Sequence, residues 1–378
     1  MEPAAPMVTG WQGELEQTAR RSLKLLQMCL EPPRVQIGVT SHQEIYRRNK
    51  VRLLRYAPRA ERIHPIPLLM VPSMINRYYI LDLIPGRSLV EYLLSRGIDV
   101  YMLDWGEPGD EDATTGLDVF VTEHLNRVVN TVARKSNSKQ ISLLGYCMGG
   151  TLTTTYTALR PQAIKNMINL AAPIDFKEGG LLSRWTDAAY YPVDKLVETY
   201  GNVPPSLMQA GFQMLKPMGQ LAKWLTFFEK VENHEFVKVF LAMEGWINDN
   251  VAFPGEAFRK YIKSCYQENL LCQNRLIVGR ERVDLGAITC AVLNIVAQMD
   301  HICAPKSASV LNELVSSRDK QLVILPGGHV GIVSGTGARK YLWPTISDWL
   351  AARSGEPTPL PQGQTIGVNR WTEQRREM

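Results

Sequence analysis

Residues 141–150 read ISLLGYCMGG. The apolar run Ile141–Leu144 leads straight into Gly145-Tyr146-Cys147-Met148-Gly149-Gly150, which opens a helical stretch reaching about Arg160. This is the strand–turn–helix context of a nucleophile elbow, where the reactive side chain stands on a tight, strained turn. Glycines two residues before and after Cys147 leave room for the turn and for close helix–strand approach. Free N–H groups at the start of the helix favour a thiolate and stabilise an oxyanion. Cysteine stands where serine is usual, and a thiolate suits the exchange of one thioester for another. The plain alternative is a buried, inert cysteine in a glycine-rich turn; the flanking pattern favours the elbow.

Outward from this stretch, short apolar runs alternate with helical patterns. Before it come Ile66–Val71, a helix over about 80–96, Ile98–Leu103 and a helix over about 117–136. After it comes the run Ile164–Ala171. Such alternation predicts a mostly parallel sheet with helices on both faces, and the near-continuous apolar strands fit two-sided burial. The rhythm stops at about residue 174. Residues 174–285 are helical in pattern and crowded with aromatics, among them Trp185, Trp224, Phe227, Trp246 and Phe253. Strand–helix logic resumes at Ala291–Ala297, with a helix over about 306–315, Gln321–Leu325 and a last helix over 338–352. The reading is therefore a leader and helix (1–40), an α/β core in two parts (41–173 and 286–352), a helical cap inserted between them (174–285), and a flexible tail (353–378). Residues 1–12 read as loose. The stripe Leu15, Ala19, Leu23, Leu26 and Leu30, ended by Pro32-Pro33, is ordinarily core packing; its sharper reading is partner docking or surface attachment.

Composition bounds the function. The chain has 378 residues, 45% hydrophobic and 21% charged, which is ample for a buried core and excludes disorder as the main state. A net charge of +5 is far from that of a dedicated nucleic-acid binder. Six cysteines are too sparse for a disulfide scaffold, and no apolar run is long enough for a spanning helix. No signal pattern opens the chain, so a cytoplasmic enzyme is expected. The 14 methionines and 8 tryptophans are many for such an enzyme.

A nucleophile needs a base and an orienting acid. His329, in Pro326-Gly327-Gly328-His329, follows the run Gln321–Leu325, and Asp300 follows Ala291–Ala297. Both sit just past late strands, in the order nucleophile, acid, histidine. His301 is the rival base, and capping of the helix after Pro305 is the alternative role for Asp300. The oxyanion donors expected are the backbone N–H of Met148 and, from the loop after Ile66–Val71, that of Met74 or Ile75. Asp104 reads chiefly as a turn cap. The basic run from Arg47 to Arg62 reads as a solvated edge-strand face, with CoA phosphates or an anionic granule or partner surface as its functional alternative. Cys29, Cys265, Cys272, Cys290 and Cys303 lack metal-ligand spacing and read as ordinary thiols, and neither a P-loop nor a dinucleotide fingerprint occurs. These residues by themselves describe a cysteine-dependent acyltransferase or hydrolase of the α/β-hydrolase class. A non-catalytic granule-coating or interaction protein is the reading from a different class.

Several segments resemble the catalytic subunit of polyhydroxyalkanoate synthases: GYCMGG at 145–150, Asn294–Pro305, PGGHVG at 326–331, VPSMINRYYILDLIPG at 71–86, Tyr101–Gly106 and MEGWIND at 243–249. The similarity spans roughly residues 40–350, and the length is that of the short, two-subunit types (class III or IV). The resemblance implies an α/β-hydrolase core with an inserted helical cap. It implies polymerisation of (R)-3-hydroxyacyl-CoA, typically 3-hydroxybutyryl-CoA, to a polyester with release of CoA. Carried over by position, Cys147 carries the acyl group and His329 is its base. Asp300 matches the acid thought to activate the 3-hydroxyl of the incoming monomer, whereas in a simple hydrolase triad it would orient the histidine. The resemblance further implies no metal or redox cofactor, a second and different subunit, dimerisation of this chain, and work at the polyester granule surface in the cytoplasm. The runner-up is an acyl-CoA thioesterase or lactone hydrolase on the same fold.

Overall fold

The apolar runs pair into a single eight-stranded sheet in a computed structural model that describes residues 7–359. Its strands are β1 (His42–Arg48), β2 (Val51–Tyr56), β3 (Leu68–Val71), β4 (Val100–Asp104), β5 (Ile141–Tyr146), β6 (Ile164–Leu170), β7 (Ala291–Ala297) and β8 (Lys320–Leu325). They lie in the order β1-β2-β4-β3-β5-β6-β7-β8. β1 pairs antiparallel with β2, and β2 antiparallel with β4; every later pairing is parallel. Alternate residues feed two cores. Leu69, Val71, Leu103 and Leu143 enter one, and Leu68, Met70, Met102 and Leu144 the other. Burial on both faces is why these strands read as unbroken apolar runs. β8 is the exception: it ends the sheet, and its Leu322 and Ile324 stay exposed.

The helices used below are α1 (Met7–Leu30), α2 (Leu89–Ser95), α3 (Asn126–Lys135), α4 (Met148–Leu159), α5 (Pro205–Met214), α6 (Pro217–Glu229), α7 (His234–Asn248) and α8 (Trp343–Ala351). α3 and α4 pack on the first core, α2 and α8 on the second. α4 is buried from Met148 to Ala158 because the sheet, the preceding π-helical turn Phe120–Leu125 and the turn Leu285–Ala287 all pack against it. The segment between β6 and β7 holds α5, α6 and α7. It is not a detached layer: Val197, Val203, Phe253, Phe258 and Tyr261 belong to the same core cluster as β3 and β5.

Several expectations change. The helix expected over 80–96 begins only at Leu89; residues 78–81 form a 3-10 turn, and Asp82–Ile84 pairs with Arg87–Ser88 around Pro85-Gly86. A proline–glycine pair makes a turn more readily than a helix interior, and Ser88 then caps α2 by accepting from the N–H of Glu91 at 3.0 Å. The helix expected over 306–315 is two short pieces, Pro305–Ser309 and Leu311–Leu314. The loose leader is already helical from Met7, and residues 1–6 lie outside the described residues. The first part of the tail is not free. Thr358–Pro359 pairs with Arg62–Ile63, His64 Nδ1 lies 2.6 Å from the carbonyl oxygen of Gly355, and Arg62 Nε donates to that of Pro357 at 3.0 Å. Residues 360–378 lie outside the described residues.

The stripe on α1 does not enter a core. Leu15, Leu23, Leu26 and Leu30 are exposed, as is Trp11. The helix holds on by the neighbouring edge instead, where Leu25 and Met28 pack against Phe227, Val231, Val237 and Phe240. No helix among the described residues is long and apolar enough to cross a membrane.

Candidate active site

Cys147 stands between β5 and α4 at φ 57°, ψ −133°, in the left-handed half of backbone space that few residues other than glycine tolerate. Its N–H donates to the carbonyl oxygen of Leu170 at 3.0 Å, and its carbonyl accepts from Gly150 at 2.8 Å. These bonds hold the strained turn. Gly149 is obligatory for space: a methyl group there would run into the carbonyl oxygens of Val71 and Pro72. The start of α4 is thereby pressed against the end of β3, beside the loop Pro72–Asn76. Cys147 is half-buried.

His329 and Asp300 arrive from the ends of β8 and β7. His329 Nδ1 lies 2.7 Å from Asp300 Oδ2. The other carboxylate oxygen, Oδ1, accepts from the backbone N–H groups of Ile302 and Cys303, both at 2.8 Å. Asp300 thus holds its own loop and reaches the histidine, but it does not cap the helix after Pro305, whose N-cap position is Ala304. Its side chain is 0% exposed and that of His329 7%. Burial acts to lower the basicity of His329, but the nearby Cys147 and Asp300 outweigh it and hold the imidazolium well above its ordinary range.

The tyrosine of the elbow was not singled out by the sequence, yet it holds His329 in place. The Tyr146 ring stacks on His329 with centroids 5.4 Å apart, and its hydroxyl donates to the His329 carbonyl at 3.1 Å. The signal was present, since Tyr146 precedes the nucleophile on a buried strand, but only the fold brings residue 329 beside it. Met148 is the first residue of α4, where an N–H has no acceptor within the helix. Met74 and Ile75 are buried in the loop after β3. The Ile75 N–H faces Ser73 Oγ at 3.4 Å, and the Pro72 carbonyl accepts from Trp105 Nε1 at 3.0 Å.

The other candidates lie elsewhere. His301 is exposed, unlike the buried pair of Asp300 and His329. Asp104 caps its turn, accepting from Gly106 N–H at 2.9 Å, and also pairs with Arg52. The basic run meets acids from distant segments: Arg48 with Glu123, Lys50 with Glu111 and Asp112, Arg55 with Asp99, and Arg59 with Glu91. Burial pushes the Cys265 and Cys290 thiols up to about 12, and Cys272 to about 11, which makes them poor nucleophiles at neutral pH. Cys303 is buried beside Asp300, and burial pushes its thiol well above the ordinary range as well.

The chain is similar to known proteins in both sequence and fold. The family profile described as "alpha/beta hydrolase fold" matches residues 67–336, and that described as "Poly-beta-hydroxybutyrate polymerase (PhaC) N-terminus" matches residues 7–93. The chain is 39% identical over 334 residues to the poly(3-hydroxyalkanoate) polymerase subunit PhaC of Haloferax mediterranei, covering 88% of this chain and 68% of that one. It is 36% identical over 335 residues to the subunit of the same name from Allochromatium vinosum, covering 87% and 93%. A solved structure, the putative non-heme bromoperoxidase BpoC from Mycobacterium tuberculosis, aligns with a TM-score of 0.51 at 11% identity over 83% of this chain and 99% of that one, a likeness of fold alone. With identity of this order running through most of both chains, the chain belongs to the poly(3-hydroxyalkanoate) polymerase family, acyltransferase enzymes on the α/β-hydrolase fold.

Proposed function

We propose that this enzyme polymerises (R)-3-hydroxyacyl-CoA, 3-hydroxybutyryl-CoA in the first instance, to a polyester with release of CoA. The observation that carries the reading is the juxtaposition of Cys147, His329 and Asp300 on the elbow, in a chain whose relatives are polymerase subunits. In the first step the Cys147 thiolate attacks the thioester carbonyl. The carbonyl oxygen becomes an oxyanion, stabilised by the N–H of Met148 and that of Met74; Ile75 is the weaker choice because its N–H already faces Ser73. The C–S bond to CoA breaks, and His329 gives its proton to the departing thiolate. In the second step the neutral His329 takes the proton of a 3-hydroxyl as that oxygen attacks the acyl group on Cys147. One ester bond forms and the cysteine leaves as the thiolate. Asp300 acts by orienting His329 and stabilising its charged form, a role supported by the occupation of both carboxylate oxygens. The chemistry is nucleophilic displacement and proton transfer throughout, so it calls for no metal or redox cofactor.

The reading extends to partners. The relatives are named as subunits, which supports work beside a second, different subunit. Exposed apolar side chains on α1 (Leu15, Leu23, Leu26) and α6 (Met218, Leu221, Trp224) supply surface for that subunit, for a second copy of this chain, or for a polyester granule in the cytoplasm. Water would end the polyester early, and the crowded aromatics between β6 and β7 favour its exclusion.

The test is product analysis with 3-hydroxybutyryl-CoA. CoA release with polymer is expected from the wild type, and neither CoA release nor acyl-enzyme from Cys147→Ala. Free 3-hydroxybutyrate as the sole product would make the enzyme a thioesterase instead. Turnover retained in Cys147→Ala would place the nucleophile elsewhere.

A further inference from the structure

The loop that follows β3 is bolted to the inserted segment, and every bolt comes from one short stretch at the end of α7. Trp246 Nε1 donates to the Arg77 carbonyl at 2.8 Å. The Asp249 carboxylate accepts from Arg77 Nε at 2.9 Å and from the Tyr79 hydroxyl at 2.5 Å. Asn76 Nδ2 donates to Asn250 Oδ1 at 2.5 Å, and the N–H of Val251 donates to the Ile75 carbonyl at 3.2 Å. On the core side the same loop is tied by Trp105 to the Pro72 carbonyl and by the Arg77 guanidinium to Glu107, both at 3.0 Å. A loop between a strand and a helix is held loosely by its own sequence, so these long-range bonds set where the N–H groups of Met74 and Ile75 stand.

The same end of α7 touches the other catalytic loop. Trp246 and Ala242 are buried with Ile332 and Val333, just past His329, and Ser334 Oγ donates to Met243 Sδ at 3.2 Å. The opposite end of α7 is anchored differently: Val237 and Phe240 sit in a small cluster with α6, edged by Leu25 and Met28 of α1 and separate from both main cores. Small satellite clusters open at lower cost than the central core. α7 therefore runs from a small satellite cluster to both halves of the site.

We propose that residues 246–251 form a positioning clamp on the oxyanion loop, so that acyl transfer to Cys147 depends on how α7 is seated. Trp246 and Asp249 are positioning residues here, since they act through the backbone of residues 74–77 and not on the substrate. The proposal rests on the reading of Cys147 as the acyl acceptor.

Two reactions of Cys147 separate the possibilities. Acylation passes through a tetrahedral oxyanion and needs the clamped loop; alkylation by iodoacetamide forms a C–S bond with loss of iodide, develops no carbonyl oxyanion, and needs only the thiolate beside His329. Single-turnover CoA release from (R)-3-hydroxybutyryl-CoA and the iodoacetamide rate are measured at one pH for the full-length wild type, Trp246→Phe and Asp249→Asn. The expected result is a fall in acylation of about 10-fold in each variant, with the alkylation rate within about twofold of wild type. Acylation and alkylation falling together would mean general damage to the site and overturn the clamp, as would no change in either. If wild-type enzyme alkylated at Cys147 still releases CoA at the normal rate, the nucleophile assignment falls first and the clamp with it.

Discussion

At the scale of the residue, the site depends on charges held out of water. Asp300 is the clearest case, because its carboxylate is fully enclosed and each oxygen has its partner. Asp300→Asn keeps the shape and removes the charge. His329 then loses a group that holds its imidazolium above the ordinary range. The expected outcome is a fall in kcat of about 10²–10⁴-fold, with the pH midpoint of iodoacetamide alkylation moving upward. An alkylation midpoint that stays put would mean Asp300 does not support the pair.

Asp82 is a second enclosed acid, with a structural task. It accepts from Thr40 Oγ1 at 2.5 Å and Ser88 Oγ at 2.6 Å, tying residue 40 to the start of α2. Burial outweighs those bonds and raises its pKa from 3.8 to about 6. A raised carboxyl favours the folded state in its protonated form. That contribution is full below the unfolded value and is lost as pH rises through about 6. Two units correspond to roughly 3 kcal/mol. Asp82→Asn cannot titrate, so the wild-type-minus-variant stability should decline by about that amount between pH 4 and 7, read from denaturant midpoints. A difference that is flat with pH would mean Asp82 is not buried as described.

At the scale of the element, the elbow is a contact between β5, the end of β3 and the first turn of α4. Its glycines are needed for approach, not flexibility. Gly149→Ala places a methyl group against backbone oxygens of Val71 and Pro72, which cannot yield without moving the loop of Met74. The expected outcome is loss of stability by about 2–4 kcal/mol or a displaced site with acylation reduced by at least about 10²-fold. Wild-type activity and melting temperature in this variant would contradict the packing. The small hairpin around Pro85-Gly86 belongs to the same scale. There, local turn chemistry overrode an apolar pattern that otherwise suited a longer helix.

At the scale of the whole molecule, the alternation of apolar runs and helical stretches was enough to specify the parallel sheet, and the spacing around residue 147 was enough to specify the elbow. Both are local codes, carried by residues within a turn or a strand of one another. The order of Cys147, Asp300 and His329 was legible for the same reason: each follows directly on a readable strand. What the sequence did not disclose were partnerships across long separations. Tyr146 with the residue 183 positions later, Asp249 with Tyr79 across 170 positions, and the acids that neutralise the basic run all depend on which strands become neighbours. The stripe on α1 makes the point from the other side. Its period fixed a helix, but only the tertiary structure decided that Leu25 and Met28 would dock while Leu23 and Leu26 faced outward. Periodicity states that a face is apolar; what covers that face is set by the packing of everything else.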